Sequence, residues 1–68
     1  MYLKVILNGK EENLANAVTV GQLLDMKGCR LNSVIVVVNS SVVRKEDWDN
    51  FVISENDQVE IVRIVGGG

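Results

Sequence analysis

The chain is 68 residues long, 47% hydrophobic and 24% charged, with seven basic and nine acidic side chains, one Cys and no His. A chain of this size supports one core and buries roughly 60% of its unfolded surface, which excludes a catalytic domain beside a binding domain. Without His, and with a single Cys, a Cys/His zinc site, a Ser-His or Cys-His nucleophile pair and an internal disulfide are excluded.

From the N-terminus, Leu3, Val5 and Leu7 alternate with Tyr2, Lys4 and Ile6, which is strand spacing. Asn8-Gly9 follows, and both residues tolerate positive φ, so a hairpin is predicted, with a second strand over about Lys10 to Leu14. Thr19 then caps a helix, because Gln22 stands three residues on and completes a capping box. Val20, Leu23 and Leu24 fall on one apolar face, Met26 extends the helix and Gly28 suits its left-handed stop.

Val34 to Val38 is an unbroken β-branched run, read as a strand covered on part of both faces. Asn39-Ser40-Ser41 is a turn and Val42-Val43 begins a short edge strand. Lys45 to Asn50 suits a helical turn around Trp48, Phe51-Val52-Ile53 is apolar, and Ser54 to Asp57 is a turn. Gln58 to Val65 is the last strand. The order β-β-α-β-β-β, with one main helix over a mixed sheet of about five strands, predicts an α+β roll of the β-grasp (ubiquitin-like) type. Residues 1–65 form that domain and residues 66–68 a glycine tail.

The tail carries the chemistry. Ile64-Val65-Gly66-Gly67-Gly68 ends a strand and then drops its side chains. Three glycines extend the α-carboxylate by roughly 10 Å. Lacking Cβ atoms, Gly66 and Gly67 suit a narrow partner cleft. The Gly68 carboxylate becomes an electrophile only once activated, for example as an acyl-adenylate. A partner supplying ATP, metal and nucleophile would let a chain without catalytic residues join covalent chemistry.

If Val59 and Ile61 face the core, Val62 and Ile64 face away from it, and Ile6 and Ile35 extend a candidate partner-binding patch on neighbouring strands. Cys29 is a candidate persulfide or thioester site, but a helix C-terminus disfavours a thiolate and only Arg30 adjoins it as a cation. A small apolar filler is the favoured reading. Trp48 reads as core cover with its N–H bonded to backbone.

Nucleic acid and membrane are not expected partners. The basic pair Arg44-Lys45 is followed at once by Glu46 and Asp47, and the aromatics are Tyr2, Trp48 and Phe51 alone. Met1-Tyr2-Leu3-Lys4 lacks a signal layout, and no apolar run approaches about 18 residues. One Cys suits a reducing compartment, so a soluble cytoplasmic protein is expected.

Several segments together resemble a known family. Val42-Val43-Arg44-Lys45-Glu46-Asp47-Trp48, the acidic turn Glu55-Asn56-Asp57, Gln58-Val59-Glu60-Ile61-Val62 and the terminal glycines are similar to the ThiS family of sulfur carriers in bacterial thiazole (thiamin) biosynthesis. Asn8-Gly9, Thr19 to Leu24 and Val36 to Asn39 extend the likeness over essentially the whole chain. Relatives often carry Gly where Asn56 stands, and Asn also takes the left-handed conformation.

The resemblance implies a β-grasp fold and a protein cosubstrate, not an enzyme. It implies that an E1-like activating enzyme, using ATP and magnesium, adenylates the Gly68 carboxylate. Sulfur drawn from cysteine through a desulfurase then makes a thiocarboxylate, which serves thiazole synthase. No metal or cofactor is implied for the chain itself. Gly66 is an extra glycine that lengthens the arm. Two alternatives stay open: a carrier like the small subunit of molybdopterin synthase, and a ubiquitin-like modifier.

Overall fold

A computed structural model describes residues 2–29 and 33–64. Its elements are β1 (Leu3–Leu7), β2 (Lys10–Leu14), α1 (Val20–Met26), β3 (Val34–Val38), β4 (Ser41–Val43), a 3₁₀ turn at Lys45–Asp47 and β5 (Gln58–Arg63). The five strands form one mixed sheet in the order β2-β1-β5-β3-β4. The central pair β1 and β5 is parallel, and every other neighbouring pair is antiparallel. This is the β-grasp arrangement of one helix on a five-stranded sheet.

Both hairpins are set by left-handed residues. Asn8 and Gly9 have φ of 50° and 82°, and Asn39 and Ser40 have φ of 50° and 72°. Two consecutive positive φ values make a primed turn, whose twist matches that of the paired strands. Each Asn also ties its turn to β5. The Asn8 side-chain oxygen accepts the Ile61 N–H at 2.9 Å. Asn39 accepts from the Gln58 N–H at 2.9 Å and donates to Asp57 at 2.9 Å.

The short helix is held at both ends. Thr19 Oγ1 accepts the Gln22 N–H at 3.1 Å, and Gln22 Oε1 accepts the Thr19 N–H at 2.8 Å. The N–H groups of Val20 and Gly21 donate to the carbonyls of Phe51 and Trp48, each at 2.9 Å. The first turn therefore leaves no donor orphaned. At the other end Gly28 has φ of 69°. The Cys29 N–H donates to Leu24 and the Gly28 N–H to Asp25, which is a Schellman closure.

Val20, Leu23 and Leu24 are buried under the sheet residues Val5, Val36, Val38 and Val59, with Leu14, Val43, Trp48 and Ile53 closing the core. Full burial of side chains of this size contributes about 1.5–3 kcal/mol each. Such packing stabilises a helix of seven residues, which alone would be marginal in water.

Three boundaries differ from the sequence expectation. Ser41 joins β4 because a two-residue turn at Asn39-Ser40 places it opposite Val38. The helical turn is a 3₁₀ turn ending before Trp48. β5 ends at Arg63, where β3 ceases to offer a partner beyond Val34. Val65 and the glycine tail lie outside the described residues. Among the described residues, no helix is long and apolar enough to cross a membrane.

Candidate functional site

Strand alternation places the candidate partner-binding residues. β5 buries Val59 and directs Val62 to the face opposite the helix. On β3, Val36 and Val38 are buried while Ile35 is exposed. Ile35 and Val62 are directly paired across β3 and β5. They are 40% and 49% exposed, and Ile64, just beyond β5, is 50% exposed. Val37 pairs with Val42 on β4, and Val42 is 65% exposed. An apolar surface thus covers the helix-free face near the end of β5.

Ile6 lies on the same face but not in that cluster. Its cross-strand neighbours are Gln58 and Glu11. Four residue steps along β5 lead from the Gln58 row to Val62, about 13 Å of strand, and the exposed Glu60 stands between them. The structure brings Ile35, Val62 and Ile64 together and sets Ile6 apart at the half-buried β1–β2 side.

The main chain is anchored at Ile64, the last described residue. The Ile64 N–H donates to the Ser33 carbonyl at 2.8 Å. Arg63 pairs with Val34 at the start of β3. Gly66, Gly67 and Gly68 themselves lie outside the described residues.

The remaining candidates fall elsewhere. Trp48 is 4% exposed, and its indole N–H donates to the Val43 carbonyl at 3.1 Å. It is a core residue. Cys29 is half-buried and lines a cavity of about 390 Å³ with Leu7, Lys10, Glu12, Lys27 and Ile61. Lys27 is ion-paired to Glu12 there. Glu55 and Asp57 act structurally: Glu55 accepts the Lys4 N–H at 2.9 Å and Asp57 accepts the Ser54 N–H at 2.8 Å. Among the described residues, no cluster of His, Cys, Asp or Glu could hold a metal ion.

Sequence reasoning missed the contribution of Val37 and Val42 to the exposed face. Their signal was available in the β-branched run, but which members face outward depends on the register with β4 and β5.

A family model described as the ThiS family matches residues 5–68, almost the entire chain and through its last glycine. The chain belongs to the ThiS family. A crystal structure of a ThiS thiamine biosynthesis protein from Geobacter metallireducens superposes with a TM-score of 0.84 at 28% identity, covering 97% of this chain and all of that one. The Escherichia coli sulfur carrier protein ThiS is 23% identical over 66 residues, spanning 97% of this chain and 100% of that protein.

Two further relatives carry other names. An uncharacterized protein, ycf40, from Trieres chinensis is 34% identical over 62 residues, 91% of this chain and 85% of its own. A thiazole synthase from Paramagnetospirillum magneticum is 33% identical over 66 residues, covering 97% of this chain. The chain spans about a fifth (20%) of that synthase's length.

Proposed function

We propose that this protein is a sulfur carrier of thiamin biosynthesis whose reactive group is the main-chain carboxylate of Gly68. The observation that carries the reading is the ThiS family match across residues 5–68, which includes the glycine run. The fold supports it by anchoring the main chain at Ile64, two residues before that run in the sequence.

The chemistry divides between chain and partners. The Gly68 carboxylate oxygen attacks the α-phosphorus of ATP on an E1-like activating enzyme, and pyrophosphate leaves. A persulfide sulfur, drawn from cysteine through a desulfurase, attacks the acyl carbon and expels AMP. A partner thiol then takes the outer linkage as a disulfide and releases the thiocarboxylate. Gly66 and Gly67 let the tail enter the partner's cleft without side-chain clash. Val62, Ile64 and Ile35 form the apolar contact that seats the carrier, while Ile6 contributes at the margin.

Thiazole synthase is the proposed acceptor of the sulfur. Segments similar to nearly all of this chain occur within longer thiazole synthases, which supports a working association of the two. That same observation favours the thiazole branch over a molybdopterin carrier or a protein modifier. A reducing cytoplasm suits a thiocarboxylate, which oxidation would destroy.

The test is the intact mass of the protein after incubation with its activating enzyme, ATP, magnesium and a sulfur source. Replacement of one oxygen by sulfur, lost on deleting Gly68 or adding one residue after it, is the expected result. A lysine adduct without sulfur would establish a modifier instead.

A further inference from the structure

The two edges of the sheet differ in a way the carrier function does not use. β2 forms one edge with the sequence Lys10-Glu11-Glu12-Asn13-Leu14, and Glu12 is ion-paired to Lys27. Charged edge strands resist pairing with other chains. β4 forms the other edge as Ser41-Val42-Val43, without a charge or a proline.

The hydrogen-bond phase of β3 shows which groups that edge presents. Ile64 donates to Ser33 and Asn39 donates to Gln58 across β3 and β5. Odd-numbered residues of this segment therefore direct their main-chain groups to β5, and Val36 and Val38 direct theirs to β4. Their register partners are Val43 and Ser41. Val42, between them, turns its N–H and C=O outward to the free edge.

A cavity of about 340 Å³ opens beside this edge, lined by Ser41, Val42, Val43, Asp47, Asn50 and Phe51. That volume is at the small end of ligand pockets. Val42, Val43 and Phe51 supply apolar walls. The exposed Asp47 is the only charged residue in the lining.

We propose that the β4 edge is a docking site for an extended peptide segment of a partner protein, with an apolar side chain in the cavity and a neighbouring Lys or Arg toward Asp47. The Val42 N–H and C=O pair with one residue of that strand, in the manner of β-augmentation. An extended backbone is the occupant that matches an outward donor and acceptor on one residue. The Asp47 carboxylate selects its charge. The site is distinct from the tail, so it does not depend on sulfur transfer.

The experiment is an amide NMR titration of the labelled full-length protein with the capped peptide acetyl-Thr-Val-Arg-Val-Thr-amide. Binding is expected to be weak, since the contact is small. Shifts should concentrate at Val42, Val43, Asp47 and Phe51, with slowed exchange of the Val42 amide. D47N should weaken the peptide about two- to fivefold, the range of an exposed ion pair. Val42→Pro should abolish binding while keeping the fold, because its N–H faces outward, and Val42→Thr should retain it.

A peptide N-methylated at its central amides tests the same bonds from the ligand side and requires no variant to fold. The proposal is overturned if that peptide binds as well as the parent. Equal binding by the Glu analogue of the peptide also rejects it, as do shifts centred on Ile35 and Val62. So does a concentration-dependent Val42 shift without peptide, which would assign the edge to a second copy.

Discussion

The N–H of Ile64 donates to the carbonyl of Ser33 at 2.8 Å, one residue beyond the end of β5. This bond fastens the last described residue to the chain entering β3. Ile64 is half-exposed on the helix-free side of the molecule, near Ile35 and Val62. The anchored residue is therefore a neighbour of the exposed apolar surface.

Replacing Ile64 by Pro removes that donor. A hydrogen bond of this kind contributes about 0.5–1.5 kcal/mol. The variant should melt lower by roughly 2–12 °C, since about 1 kcal/mol corresponds to about 4–8 °C in a domain this small. Calorimetry checks the stability. A melting temperature equal to wild type would show that the anchor contributes nothing.

Val62→Asp places a charge on the exposed face, where no buried group is disturbed. Far-UV circular dichroism and melting should match wild type closely. Thiocarboxylate formation with the activating enzyme should fall about tenfold or more, as expected for an anchor near an interface centre. The matching change at Ile6 should have a smaller effect, because its neighbours are Gln58 and Glu11. Equal losses at both positions would move the contact toward the β1–β2 side.

Thr19→Ala deletes the oxygen that accepts the Gln22 N–H. Loss of an N-cap costs about 1 kcal/mol, and Thr19→Ser should restore most of it. Urea denaturation should show a lower midpoint with an unchanged slope. A changed slope would place the effect in the unfolded state or in compactness.

Leu23→Ala opens a cavity at a fully buried position of α1. The expected cost is about 2–5 kcal/mol, which for a domain of this size approaches the whole folding free energy. The amide NMR spectrum at room temperature should show a large unfolded fraction. A sharply folded spectrum would mean that the helix repacks over the sheet.

Much of the fold is legible because local patterns here agree with the global arrangement. Asn8-Gly9 requires a primed turn, Thr19 and Gln22 complete a capping box, and Gly28 stops the helix in the left-handed region, all with φ values or bonds as those residues demand. The second primed turn was less legible. It places Ser40 at φ of 72° without a glycine, and the bonds of Asn39 to Gln58 and Asp57 hold it there.

The candidate site divides along the same line. A glycine run after a β-branched strand is a property of composition, so its chemical meaning was open to a reader of the sequence alone. Alternation in β5 likewise separates Val59 from Val62. The sequence by itself determined the strands, the capped helix, the turn residues and the glycine run that is proposed as the reactive end.

Only the tertiary structure decided which alternating residues share a surface. Ile35 meets Val62 because β3 and β5 are antiparallel in one register, and Ile6 is set apart because β1 joins β5 near Gln58. Strand order and register arise from contacts between residues distant in sequence, which no local spacing encodes. The same hydrogen-bond phase turns the main chain of Val42 outward, and only the assembled sheet reveals it.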